Sequence, residues 1–239
     1  MMNFRQGMSS VHQQKIPIRA VVFDYGNVLS FTHLASDVAA MAQVCGMTVE
    51  RFTPPYWSFR LAYDRADLDS ETYWTALVKT DGRTLSTQEI DQLIEIDSKG
   101  WSRLNSAAVR WVEQIRNAGL QLALLSNMPA DISRYLVAHY EWPALFHHLI
   151  FSCDLRSTKP EPQIYRACLE RLQVSPEEVL FFDDRPENIE AAVALGIHSV
   201  LFDSVEQAVR RVAPRFDIPV PGDGGAIHNL PPQPLLDEP

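Results

Sequence analysis

Cysteine is scarce in this 239-residue sequence, which has only three: Cys45, Cys153 and Cys168. Their number is odd, they are scattered along the chain, and their spacing is not that of metal ligands. A cysteine-ligated metal site is therefore not indicated. We expect reduced, mostly buried thiols, as is usual in a cytosolic protein.

Long apolar runs and an excess of positive charge are also missing. No run approaches the roughly 20 residues that would cross a membrane, and residues 1–19 lack the apolar stretch of a secretory signal. The formal net charge is -9, so no basic surface for nucleic acid is indicated. We expect a cytoplasmic protein that has neither a membrane nor a nucleic acid as partner. The sequence does not set its oligomeric state.

Hydrophobic residues make up 46% of the chain and charged residues 21%, which is enough to bury a substantial core. Short apolar segments without alternation predict buried strands of a parallel sheet that is covered on both faces. They are residues 19–23, 120–125, 149–152, 179–182 and 197–202. Helical patterns at 106–118, 161–172 and 186–194 accompany the later segments. The alternation predicts an α/β fold with a doubly wound, parallel, Rossmann-like sheet.

The interval from 33 to 105 breaks this rhythm. It shows helical periodicity at 34–45, 57–63, 71–78 and 88–96, without a convincing strand, and it is too long for a loop. We expect a helical subdomain at 33–105, inserted into an α/β core made of 19–32 and 106–213. The remaining residues, 1–18 and 214–239, are expected to be tails. Because 214–239 is rich in proline and glycine, disorder is favoured there over a binding segment.

Polar side chains follow the apolar segments at the edge where such sheets bind ligands. Asp24 follows the first segment, Ser126 the second and Lys159 the third, while the pair Asp183–Asp184 follows the fourth. The set suits phosphoryl transfer. Asp24 could act as the nucleophile, forming an acyl phosphate that is then hydrolysed. Lys159 could supply positive charge to the phosphoryl oxygens.

A divalent cation is expected at the same edge, because a carboxylate and a phosphate repel each other. Asp24 and one member of the acidic pair could hold Mg²⁺, which prefers oxygen ligands. The Ser126 hydroxyl and backbone N–H groups of the turn at Asn127 could bind phosphoryl oxygens. Asn188 is four residues after Asp184, so the two are expected to share a helix face.

Each of these residues also has an ordinary structural interpretation. Asp24 could stabilise a turn, Ser126 could be a helix N-cap, and Lys159 could be a solvated surface charge. The acidic pair could cap the next helix, since acids favour that helix dipole, and Asn188 could simply support a loop. Their arrival in order after successive strands favours the functional interpretation.

The order and context of these residues resemble those of the haloacid dehalogenase-like hydrolases, from Arg19 to Ala213. The resemblance implies a magnesium-dependent hydrolase of small phosphorylated metabolites, in which the helical insert is a cap domain. It implies the following roles: Asp24 as nucleophile and metal ligand, the carbonyl of Gly26 and the carboxylate of Asp184 as further metal ligands, Ser126 and Lys159 as catalytic and substrate-binding residues, Asn127 as substrate-binding, and Asp183 and Asn188 as supporting residues.

Gly26 departs from the common pattern of that family. Its phosphatases normally have a second aspartate two residues after the nucleophile, where it acts as general acid and base. The sequence resembles the branch of the family that contains sugar-1-phosphate phosphatases and the phosphatase domain joined to epoxide hydrolases. Glycine does occur at this place in that branch. We hypothesise that His33, Asp64 or a water supplies the proton, and that good leaving groups are preferred, because a positioned acid typically contributes about 10²–10⁴-fold in rate.

Two other functions stay open at this stage. A 2-haloacid dehalogenase-like enzyme would use Asp24 to displace halide from carbon without a metal, although Asp183–Asp184 would repel the substrate carboxylate. A catalytically weak binding or regulatory protein of the same fold would bind Mg²⁺ without turnover.

Overall fold

The computed structural model describes residues 15–221. Seven strands lie within this part of the chain, namely β1 (Ile16–Pro17), β2 (Ala20–Phe23), β3 (Gln121–Ser126), β4 (His148–Phe151), β5 (Val179–Asp183), β6 (His198–Leu201) and β7 (Phe216–Asp217). Five of them form one parallel sheet in the order β4-β3-β2-β5-β6. The predicted doubly wound α/β fold is therefore confirmed.

Helices alternate with the strands along the chain. They are α1 (Ala35–Val44), α2 (Val49–Ser58), α3 (Arg60–Asp64), α4 (Ser70–Val78), α5 (Thr87–Trp101), α6 (Ser106–Asn117), α7 (Ala130–His139), α8 (Ser152–Leu155), α9 (Pro162–Leu172), α10 (Pro186–Ala194) and α11 (Val205–Val212).

Helices cover both faces of the sheet, which explains the uninterrupted apolar character of its strands. Val21 and Phe23 of β2 pack in the cluster formed with α6, α7 and α11. Ala20 and Val22 point to the opposite face, where α9 and α10 pack. All four side chains are almost fully buried. The central position of β2 places whatever follows Phe23 at the middle of the sheet edge.

The insert between β2 and β3 folds around a hydrophobic cluster of its own, built from side chains of α1, α2, α3, α4 and α5. The predicted helices at 34–45, 71–78 and 88–96 are found as α1, α4 and α5, although α5 continues to Trp101. The predicted helix at 57–63 is wrong in its bounds, since α2 already starts at Val49 and the chain bends at Phe59 before α3. Pro54 and Pro55 lie inside α2, and adjacent prolines normally argue against a helix interior.

The ends of the described chain are more ordered than expected. β1 pairs in parallel with β7, so Ile16 and Phe216 are aligned with each other. Phe216 and Ile218 are buried, and the Trp111 indole donates to the carbonyl of Pro219 at 2.8 Å. The expected tails at 1–18 and 214–239 therefore include ordered residues. The rest of both tails, residues 1–14 and 222–239, lies outside the described residues.

Within residues 15–221, none of the helices has the length and apolar character needed to cross a membrane.

Candidate active site

The sheet register brings four chain segments to one point. Phe23 is aligned with Leu124 of β3 and Phe182 of β5, and the backbone N–H of Asp24 donates to the Phe182 carbonyl at 2.9 Å. Because all five strands run in parallel, the residues that follow them meet at the same edge. Asp24 stands at the centre of that edge.

Three carboxylates and one ammonium group meet there. Asp24, Asp183 and Asp184 each offer an oxygen, and these oxygens all lie within 4.8 Å of one another. The Lys159 ammonium lies 2.7 Å from Asp24 Oδ1 and 2.6 Å from Asp183 Oδ2. One positive charge does not balance three neighbouring carboxylates, so the cluster has the charge and the hard oxygen donors that a divalent cation prefers.

The two adjacent aspartates have different surroundings. Asp183 is fully buried, and its Oδ1 accepts from the Arg185 N–H and the Asn188 amide, both at 2.9 Å, while Oδ2 binds Lys159. Its two oxygens are thus engaged within the protein. Asp184 is half-buried, and among the described side chains only Asn27 donates to it, at 2.9 Å. Asp184 is therefore better placed than Asp183 to bind a ligand. Asn188 contacts Asp183, not the residue with which a shared helix face was expected.

Burial dominates the ionisation of Asp24. Desolvation raises the pKa of this carboxyl from 3.8 to about 7, although the neighbouring Lys159 works in the opposite direction. Asp183 and Asp184 add further repulsion to the ionised form. Burial also raises the pKa of Asp184. The ionised form of both carboxyls is therefore unfavourable here, and a bound cation would stabilise it.

Lys159 is buried, so it is not the solvated surface charge considered from the sequence. Burial alone would lower its pKa, but Asp183 and Asp24 outweigh burial and the pKa is raised. Its backbone is held by Asn127, whose side-chain amide donates to the Lys159 carbonyl at 2.9 Å and accepts from the Lys159 N–H at 2.8 Å. The Asn127 side chain thus aligns the segment that carries Lys159.

Ser126 is the last residue of β3 and is buried. It is not a helix N-cap, because α7 begins at Ala130 and its N-cap is Pro129. Its hydroxyl has no hydrogen-bond partner among residues 15–221, which leaves it available to a ligand at the sheet edge.

Comparison with known proteins agrees with this geometry. Residues 18–196, about three quarters of the chain, match the family described as haloacid dehalogenase-like hydrolase. The chain belongs to this family. It is therefore a hydrolase.

The hydrolase has relatives of more than one activity. It is 27% identical to Phosphatase MT3486 of Mycobacterium tuberculosis over 195 residues, covering 78% of this chain and 88% of the relative. It is 27% identical to (S)-2-haloacid dehalogenase 4A of Burkholderia cepacia over 199 residues, covering 77% and 82%. It is 32% identical to Acyl-CoA dehydrogenase family member 10 of Mus musculus over 119 residues, covering 46% of this chain. The match spans only 10% of that much longer mouse protein.

A solved structure shows the same fold. The HAD family enzyme bt-2542 of Bacteroides thetaiotaomicron, in complex with magnesium and inorganic phosphate, superposes with a TM-score of 0.63. The match covers 77% of the hydrolase and 93% of that chain at 18% sequence identity.

Trp101, which the sequence did not single out, lies beside Gly26. A Cβ atom built on Gly26 would lie 3.3 Å from Cζ3 of the Trp101 indole. The Tyr25 hydroxyl donates to the Trp101 carbonyl at 2.7 Å. This hydrogen bond connects the end of α5 to the loop that follows β2. The indole thus lies close to the space that a side chain at residue 26 would need.

The end of α3 contacts the core at three places. Tyr63 donates from its hydroxyl to Asp131 Oδ2 at 2.7 Å. The Asp64 carbonyl accepts from the Ser152 hydroxyl at 2.5 Å. Arg65 forms an ion pair with Glu161, two residues after Lys159. These contacts join residues 68 or more positions apart in sequence, so periodicity and local motifs could not reveal them.

Asn27 was also missed, although a local signal was present. It has a φ of 57°, in the left-handed region that asparagine tolerates better than most residues. The run Asp24-Tyr25-Gly26-Asn27 suits a tight turn, and such a turn returns the Asn27 amide to the carboxylate of Asp184.

Proposed function

We propose that this hydrolase is a magnesium-dependent phosphatase that cleaves small phosphorylated metabolites through an aspartyl-phosphate intermediate on Asp24. The convergence of Asp24, Asp183, Asp184 and Lys159 at the centre of the sheet edge carries the proposal. Phosphoryl transfer depends mainly on positioning and on balancing charge, and this cluster provides both.

The residues present fit Mg²⁺ well. Asp24 and Asp184 would hold the ion together with the backbone carbonyl of Gly26, and all three are oxygen donors. Asp183 would act indirectly, because its hydrogen bonds fix Lys159 and the start of α10. When bound, the ion would offset the repulsion between the carboxylates and a phosphate dianion.

The protein side chains divide the remaining work. Asp24 forms the bond to phosphorus and is released again when water attacks the intermediate. Lys159, held by Asn127, places its ammonium beside Asp24, where the phosphoryl oxygens must lie. Ser126 and the backbone N–H groups of the turn at Asn127 bind the other phosphoryl oxygens. The insert at 33–105 would serve as a cap over this site, a gating role typical of lids.

The test is a phosphate-release screen over a metabolite panel with Mg²⁺, run on the wild type and on Asp24→Asn. We expect the wild type to release phosphate from at least one small ester and Asp24→Asn to lose that activity. Asp91→Asn, an exposed aspartate on α5, serves as the matched control and should behave as the wild type. Activity that survives in Asp24→Asn would remove Asp24 from the role of nucleophile.

A haloacid dehalogenase is the second candidate. The lack of an acid at Gly26 and the similarity to the Burkholderia cepacia dehalogenase favour it. The acidic pair opposes it, because paired carboxylates would repel a haloacid. Halide release from a 2-haloacid in the presence of EDTA would decide for the dehalogenase.

A further inference from the structure

Cleavage of an alkyl phosphate leaves a strongly basic alkoxide, so a proton donor near the leaving oxygen accelerates the reaction. Gly26 cannot donate a proton, and the Trp101 indole lies close to the space that a longer side chain there would need. If the proposed phosphatase function is correct, a different group must protonate the alcohol.

The carboxyls of the cluster are already committed. In the proposed reaction Asp24 must be ionised to act as the nucleophile, and Asp184 would bind the cation. Asp183 is engaged through both oxygens. His33 is committed as well, since its Nε2 lies 2.9 Å from Asp97 Oδ1 and its side chain is only 3% exposed. A side-chain donor would therefore have to come from another residue.

Asp64 is a buried carboxyl that the core contacts of α3 bring to this edge. Its carbonyl accepts from the Ser152 hydroxyl, which also accepts from the Met128 N–H at 2.9 Å, two residues after Ser126. Its Oδ1 accepts from Arg60 Nε at 2.7 Å, and no hydrogen bond engages Oδ2 among the described residues. One carboxyl oxygen is therefore fixed, while the other is available.

The electrostatic surroundings of Asp64 suit a carboxylic acid. Burial raises its pKa, although Arg60 and, more weakly, Lys159 oppose that effect. Lys159, whose ammonium contacts Asp24, is thus among the charges that act on Asp64.

We propose that Asp64 is the general acid and base of this hydrolase, donating from the insert in place of a side chain at residue 26. Asp24 attacks phosphorus, the ester P–O bond breaks, and its electron pair stays on the leaving oxygen, which takes the Asp64 proton. Water then attacks the aspartyl phosphate and gives a proton to the Asp64 carboxylate. The P–O bond to Asp24 breaks, phosphate leaves, and both carboxyls return to their starting states.

Leaving-group dependence tests this assignment. kcat/KM is measured for wild type and Asp64→Asn with p-nitrophenyl phosphate, whose leaving group is weakly basic, and with the alkyl phosphate that the wild type cleaves fastest. Asp64→Asn should lose about 10²–10⁴-fold on the alkyl ester and less than tenfold on the aryl ester. Equal losses on both esters, or no loss on the alkyl ester, would overturn the assignment.

Two further variants separate chemistry from structure. Asp131→Asn changes the neighbouring contact with Tyr63 but leaves the Asp64 carboxyl in place, so any loss should be equal for the two esters. Asp64→Glu keeps a carboxyl and should recover part of the alkyl-ester activity relative to Asp64→Asn. If the wild type cleaves neither class of ester, the proposed phosphatase function itself fails. If the wild type is active but Asp64→Asn shows no preference for the aryl ester, only the assignment of Asp64 fails.

Discussion

Asp24 meets two opposing requirements. In the proposed reaction it must be ionised to attack phosphorus, yet its burial at the centre of the sheet raises its pKa to about 7. Lys159 offsets part of the cost, but Asp183 and Asp184 add to it. The ionised side chain is therefore unfavourable until positive charge is added, which would link the proposed nucleophile to the proposed cation binding.

This conflict predicts a pH-dependent stability difference in the metal-free protein. The folded-state pKa of Asp24 lies above its ordinary 3.8, so the stability it contributes at low pH is lost as pH rises toward 7 and above. In EDTA, the free energy of unfolding of Asp24→Asn relative to that of the wild type should increase between pH 5 and pH 8. At ~1.4 kcal/mol per pKa unit the increase is up to about 3 kcal/mol. Thermal unfolding at the two pH values measures the change. The control Asp91→Asn should show the same pH dependence of stability as the wild type. A stability difference between Asp24→Asn and the wild type that is the same at both pH values would contradict the argument.

Gly26 gives a second prediction at the residue scale. A Cβ atom there would lie 3.3 Å from Trp101, so Gly26→Ala requires the indole to shift by a few tenths of an ångström. Overpacking of this kind typically costs about 1–3 kcal/mol. We expect a lower Tm for Gly26→Ala, with a smaller decrease when Trp101→Leu is also present. The control is Ser58→Ala at an exposed position of α2, which should leave Tm nearly unchanged. Gly82→Ala would not serve, because the positive φ of Gly82 strains any other residue.

At the scale of elements, Asn127 links two strand-end loops. Its side chain makes two hydrogen bonds to the backbone of Lys159, so its removal should misplace the ammonium without removing it. Small misplacements in an active site cost up to about 10²-fold. We expect Asn127→Ala to lower kcat by roughly tenfold to a hundredfold. Asn117→Ala, at the exposed end of α6, should not change kcat, and an unchanged kcat in Asn127→Ala as well would show that the hydrogen bonds are dispensable.

The elements of the core could be predicted because each signal is local. A buried parallel strand is an uninterrupted apolar segment, and the polar residue after it lies at the sheet edge whatever the details of packing. This reasoning found Asp24, Ser126 and Asp184. It could not find Trp101 or Arg65, whose places depend on how the insert folds onto the core. It also missed β1 and β7, since two-residue strands have no periodicity to detect.

At the scale of the whole molecule, the insert and the core meet through polar contacts from the end of α3. Arg65 pairs with Glu161 and its guanidinium also lies 3.4 Å from the Thr158 hydroxyl. Because these partners adjoin Lys159, Arg65→Ala should loosen closure over the site and raise KM several-fold. Arg51→Ala breaks an ion pair with Asp81 inside the insert and is the matched control. Equal KM values for the two variants would argue against a closing role for Arg65.

The proposed cation site connects all three scales, because only the folded chain brings its ligands together. A ligand that binds the native state alone stabilises it by about 2.7 kcal/mol at a hundred times its dissociation constant. For a chain of this size that corresponds to a Tm increase of roughly 5–10 °C. We expect saturating MgCl₂ to raise Tm of the wild type and of Asp91→Asn by this amount over NaCl of equal ionic strength. In Asp184→Asn the increase should nearly vanish, since the ion loses a carboxylate that is not tied to Lys159. An equal increase in Asp184→Asn would place the bound magnesium elsewhere on this acidic protein, and the carboxylate cluster at the sheet edge would then need another explanation.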